Sequence, residues 1–118
     1  VTSIDPTPGR RLADGLLQWV TDDALLGDDR TMTYGEARTR FGIPGSDIGM
    51  GRVLDDAHDL IKAELGERVA LGVVAYVVNA RTGVPGGGWD EHLHGGRKEA
   101  GVARRDARAA LHERRMAD

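Results

Sequence analysis

The stretch that decides the fold is 33-TYGEARTRFGIPGSDIGMGRVLDDAHDLIKAELGERVALGVVAYVVNARTGVPGGGW-89. It opens on Thr33-x-x-Glu36, a spacing in which the threonine hydroxyl accepts from a first-turn amide while the carboxylate reaches back to the cap amide. A helix is therefore expected from Tyr34. Ala37 and Phe41 fall four apart on its buried face, with Arg38 and Arg40 pointing elsewhere. Gly42-Ile43-Pro44-Gly45 stops it, because proline cannot continue a helix and biases Ile43 away from helical torsions. Apolar residues then return at Ile48, Val53, Leu54, Ala57, Leu60, Ile61 and Leu65, the spacing of a longer helix that ends near Gly66. Gly49 and Gly51 are expected to let its first turn approach another backbone closely.

The apolar, β-branched run Val69 to Val78 reads as a strand covered on both faces. Asn79 to Gly83 supplies a turn, and Val84 to Trp89 returns as a short edge strand or loop, since Pro85 cannot donate to a ladder. Two helices joined by a short glycine-containing turn and followed by a hairpin give the expected class: α+β, mainly α, a winged helix-turn-helix with a small β-hairpin and an additional C-terminal helix.

Outside this stretch, residues 1–9 read as an extended, disordered lead with two prolines. Leu12, Leu16, Leu17, Trp19 and Val20 mark the apolar face of a helix over 10–21, with Trp19 as a core anchor. Residues 22–30 form an acidic loop pinned by Leu25 and Leu26. The winged-helix domain is taken as 10–90 and a basic C-terminal helix or tail as 91–118. In that tail Ala100, Ala103, Ala107, Ala110 and Leu111 line a narrow face of small side chains, flanked by Arg97, Lys98, Arg104, Arg105, Arg108, Arg114 and Arg115. Such a face buries little area, so the helix needs something to dock on: the body, a second copy, or an acidic partner.

The chain of 118 residues has no cysteine, which removes disulfides, thiolate metal sites and a cysteine nucleophile. No apolar run is long enough to span a bilayer and the start lacks a signal-peptide core. The reading is a soluble, cytoplasmic protein. A formal net charge of -3 hides a split, because residues 97–118 carry a surplus of +3 and residues 1–96 carry -6. The tail suits a nucleic-acid partner and the body does not. Gly86-Gly87-Gly88 lacks the lysine and spacing of a phosphate loop. Asp90, Glu91, His92 and His94 are read as a solvated linker, and Asp55, Asp56 and Asp59 as a solvated helix face, so no metal and no cofactor is expected. Ser3 and Ser46 lie in no nucleophile elbow, and no acid, base and pocket come together, which leaves a non-enzymatic role.

The runs Thr33-Tyr34-Gly35-Glu36-Ala37, Gly42-Ile43-Pro44-Gly45 and Ile48-Gly49-x-Gly51-x-x-Leu54 resemble the DNA-binding half of alkylguanine DNA alkyltransferases and alkyltransferase-like proteins, over about 33–89. The resemblance implies a recognition helix after the Ile-Pro-Gly corner and Tyr34 as a phosphate-contacting residue. The chain departs from that family where a Pro-Cys-His-Arg or Pro-Trp-His-Arg would stand, since Ala75-Tyr76-Val77-Val78 occupies the place. Asp47 stands where the family's inserted arginine would precede the Ile-Gly step. Alkyl transfer is thereby excluded for want of a thiol. The segment 77-VVNARTGVPGGGW-89 also resembles small prokaryotic proteins sharing a Val-Val-Asn-x-x-Thr-Gly-x-Pro-Gly-x-Gly signature, which implies no activity.

The first expectation is a DNA-binding protein, regulatory or of a mobile-element or defence setting, with double-stranded DNA as partner. Tyr34, Arg38, Arg40, Ser46, Arg52 and Arg81 would contact phosphates and base edges, Arg104, Arg105 and Arg108 would add affinity from the tail, and the terminal helix would pair two copies. The alternative is an acidic protein-protein interaction module, a DNA mimic or inhibitor, acting through Asp55, Asp56 and Asp59.

Overall fold

The computed structural model describes residues 7–22, 30–45, 49–85, 89 and 91–117. Helix α1 (Pro8–Asp22) starts two residues earlier than its apolar spacing suggests. The reason is local: the Thr7 hydroxyl accepts from the Arg10 amide at 3.2 Å, and Pro8 occupies a first-turn position that needs no amide donor. Its face of Leu12, Ala13, Leu16 and Val20 is fully buried, each large side chain contributing about 1.5–3 kcal/mol of burial. Trp19 is partly buried and meets Tyr76 edge to face with ring centroids 5.5 Å apart.

Strand β1 (Met32–Thr33) leads directly into α2 (Tyr34–Phe41). The capping box forms, with the Glu36 amide donating to the Thr33 hydroxyl and the Thr33 amide donating to the Glu36 carboxylate. Gly42, at φ 65°, closes α2 in the left-handed region, where a Cβ would be strained. Helix α3 (Met50–Leu65) buries Met50, Leu54, Ala57 and Ile61 and packs between α1 and α4 (Glu67–Val74), to which Gly66 joins it. Contrary to expectation, Gly49 and Gly51 pack closely against no backbone among the described residues, since a Cβ on either would have nothing of these within 4 Å, although Met50 between them is buried.

The largest correction falls on Val69 to Val78. Residues 67–74 are helix, and only β2 (Val77–Val78) is strand. Helix α4 is packed on one side by α3 and on another by α6 (Arg97–Ala117), so Val69, Ala70, Gly72, Val73 and Val74 are all buried. An all-round apolar run is equally the signature of an enclosed helix, and tertiary packing overrides the β-branched preference here. Gly72 permits that packing, since a Cβ there would lie 2.2 Å from the Ala103 carbonyl oxygen.

The sheet differs from a simple wing as well. Strand β2 pairs with β1, in parallel, with Met32 opposite Val77 and Thr33 opposite Val78. Among the described residues the return segment reaches it through one antiparallel bridge, Val78 to Pro85. A short helix α5 (Glu91–His94) precedes α6. Trp89 covers a second small core with Ala75 and Ala100, its indole donating to the Gly95 carbonyl at 2.9 Å. Helix α6 docks on the body through Ala100, Ala107 and Leu111. The architecture is thus mainly helical with a small two-stranded parallel sheet. Among the described residues no helix is long and apolar enough to cross a membrane.

Candidate nucleic-acid interface

Helix α2, the glycine corner and α3 place four of the expected contact residues. Tyr34 opens α2, partly buried, and its phenol pKa is raised first by desolvation and then by the nearby Asp55 carboxylate. Arg38 donates through Nη2 to the Gly45 carbonyl and so braces the corner. From the other side Arg11 Nη1 donates to the Gly42 carbonyl at 2.9 Å. Arg40 is exposed, with its guanidinium 5.6 Å from the Trp19 ring centroid. Arg52 is exposed in the first turn of α3 and, among the described residues, has no carboxylate in ion-pair range. Ser46 lies outside the described residues, as do the expected acidic loop over 23–29 and the glycine triplet 86–88.

The acids of α3 are distributed unevenly. Glu64 accepts from Arg10 at 2.6 Å, an arginine that also holds Asp14 and whose own pKa is driven further up by those two carboxylates. Asp59 lies 3.7 Å from His58, and Glu67 at the start of α4 is 3.3 Å from His58 and 3.6 Å from Lys62. Asp55 and Asp56 remain exposed, Asp56 with its Cβ against Gly9 of α1. The outward side of α3 is therefore mixed, carrying Arg52 and Lys62 beside three aspartates.

The remaining expected residues sit on other elements. Arg81 is exposed in the turn after β2, where Asn79 Oδ1 accepts from its amide at 2.8 Å. Arg105 is exposed and Arg108 half-buried on α6. Arg104 is the exception to the expected tail. It is only 6% exposed, donates through Nη1 to the Ala75 carbonyl at 2.9 Å, and lies 5.9 Å from the Tyr76 ring. A guanidinium so placed caps the carboxyl end of α4 instead of facing solvent, because α6 needs a donor where α4 leaves a carbonyl buried. Sequence reasoning missed this, since one arginine in a run of them carries no mark of burial. It also missed Arg97, whose Nε donates to the Thr82 carbonyl at 2.8 Å.

Comparison with family models, curated proteins and solved structures finds no match. The chemistry of the surface therefore stands by itself. Two open grooves of about 680 and 600 Å³ flank Trp19 and Arg40 between α1, β1 and α2. Their described polar lining, including Asp22, Arg30, Glu36 and Thr39, mixes both signs of charge. Among the described residues no three His, Asp or Glu side chains gather as metal ligands. His94 instead packs on Trp89 with ring centroids 5.3 Å apart; the side chains of Asp90, Glu91 and His92 lie outside the described residues.

Proposed function

We propose that the chain is a non-enzymatic DNA-binding protein of winged-helix, alkyltransferase-like type, with double-stranded DNA as its partner. The observation that carries the reading is the glycine-flanked first turn of α3 with exposed Arg52. Among the described residues a Cβ on Gly49 or Gly51 would meet nothing within 4 Å, the turn follows a corner braced by Arg11 and Arg38, and it presents Arg52 without a carboxylate partner among those residues. A glycine-flanked helix start backed by one cation suits a phosphate. Tyr34 and Arg40 stand on the preceding helix, and the loop closed by the Val78–Pro85 bridge takes the place of a wing.

The test is a fluorescence anisotropy titration of a labelled duplex across salt concentrations. Binding should fall with salt and weaken in Arg52→Ala, with the slope of log affinity on log salt shallower by about 0.9 for one lost phosphate contact. Absent or salt-independent binding would sink the proposal. A second reading rests on Asp55, Asp56 and Asp59, which are exposed together on α3. There the chain is an acidic module that docks on a basic protein. That reading expects a partner captured by the wild type, released by added DNA, and lost when the three aspartates are changed to asparagine. Capture that survives the triple change removes it.

A further inference from the structure

The loop after β2 is closed by its own hydrogen bonds. The Asn79 amide donates to the Val84 carbonyl at 3.0 Å, the Gly83 amide to the Asn79 carbonyl at 2.7 Å, and the Val84 amide to the Thr82 hydroxyl at 3.2 Å. Arg97 then ties this loop to the start of α6 by donating to the Thr82 carbonyl, and its guanidinium lies against Gly83, at φ 70°. A Cβ on Gly83 would be 3.0 Å from Arg97 Nε, so the two segments meet without space between them. The residue before Thr82 is Arg81 and the residue after Arg97 is Lys98, both exposed.

Arg81 and Lys98 thus flank the Arg97–Thr82 contact as chain neighbours of the residues that make it. Among the described residues none of the three has a carboxylate in ion-pair range, whereas Arg10, Lys62 and Arg68 each do. The first-turn acid of α6, Glu99, is turned back onto the Gly96 amide at 3.0 Å. Of the three, Arg97 is already held by its hydrogen bond to the loop and so loses little further freedom on meeting a polyanion.

We infer that Arg81, Arg97 and Lys98 form a single phosphate-binding platform for a DNA duplex, which joins the wing-like loop to the terminal helix. This rests on the DNA-binding reading and extends it to residues on α6. Neighbouring phosphates of one backbone supply the row of fixed negative charge that matches such a surface.

The experiment uses the full chain and the same labelled duplex. Arg81→Gln/Lys98→Gln removes two charges whose side chains make no hydrogen bond or ion pair within the described residues, so thermal melting should not move. The salt slope should become shallower by about 1.8, two phosphate contacts at 0.9 each. Arg68→Gln, which removes one charge on α4 beside Asp106, should leave the slope unchanged. A wild type that binds duplex while the double variant keeps the full slope overturns the platform and leaves the DNA reading standing, and so does an equal slope loss in Arg68→Gln. No duplex binding by the wild type removes both. Binding of polyglutamate as tight as that of duplex at the same salt assigns the surface to an acidic protein and overturns the inference.

Discussion

Arg104 is a cation shut away from water, and the Ala75 carbonyl and the Tyr76 ring help to receive it. Replacing it with methionine keeps most of the stem volume but leaves a buried carbonyl without that donor. A hydrogen bond from a charged group is worth about 1.5–3 kcal/mol, so Arg104→Met should lower the thermal midpoint by a loss of that order in a denaturant or heating experiment. Tyr34 behaves differently, since its phenol is only partly withdrawn. Desolvation, seconded by Asp55, holds its proton beyond the ordinary value of 10.0. The unfolded chain gives up that proton first as pH rises. The contribution to stability is thus fully present below the ordinary phenol range, and it is lost as pH climbs through the raised folded value. Ultraviolet titration of the wild type against Tyr34→Phe should reveal one phenol ionising late, and the variant should lose less stability on the alkaline side.

At the scale of elements, the close contact of α4 with α6 depends on Gly72. Alanine would ordinarily favour a helix by up to about 1 kcal/mol. Here its methyl would meet the Ala103 carbonyl oxygen at 2.2 Å, a backbone atom that cannot swing aside. Gly72→Ala should therefore destabilise, by about 1–3 kcal/mol for overpacking, with a lowered denaturant midpoint at unchanged slope. The elements differ in how plainly the chain announces them. Thr33 and Glu36 declare the start of α2 because a capping box is local chemistry, read from four consecutive positions. The face of α3 is equally plain from its spacing. Val69 to Val74 mislead because enclosure by α3 and α6 is a property of distant residues, and a window of valines cannot show which partners will cover it. The pairing of β1 with β2 is hidden for the same reason: two residues on each side are too few for a pattern. Of the candidate site, the exposed arginines were legible as types, but only coordinates separate Arg104, turned inward, from Arg52 and Arg81, turned out.

For the whole molecule, α6 is an integral wall and not an appended tail. It covers α4, and its Ala107 and Leu111 belong to the main core while Ala100 completes the smaller one under Trp89. A chain ending at residue 96 would uncover the far side of α4 and leave the Ala75 carbonyl without Arg104. It should lose its sharp unfolding transition, as followed by circular dichroism, while the full chain keeps one. The overall charge of -3 also takes on a different meaning. Part of the negative charge is answered within the fold, as in Arg10 with Asp14 and Glu64 or Lys62 with Glu67, while Arg52, Arg81, Arg97 and Lys98 are exposed without such matching among the described residues.

The parallel clasp of Met32 with Val77 bears on how the chain reaches this form. Its two sides are roughly 45 positions apart, so joining them early would forfeit the freedom of the whole intervening length. Helices α3 and α4, linked by Gly66 alone, are neighbours in the chain and can meet first. Ordering should therefore spread outward from that pair, with the strand zipper fastening late and α2 settling only afterwards. Pulsed deuterium labelling during refolding would register this as amides of α3 and α4 closing to exchange before the Met32 amide, which donates to the Tyr76 carbonyl at 2.9 Å.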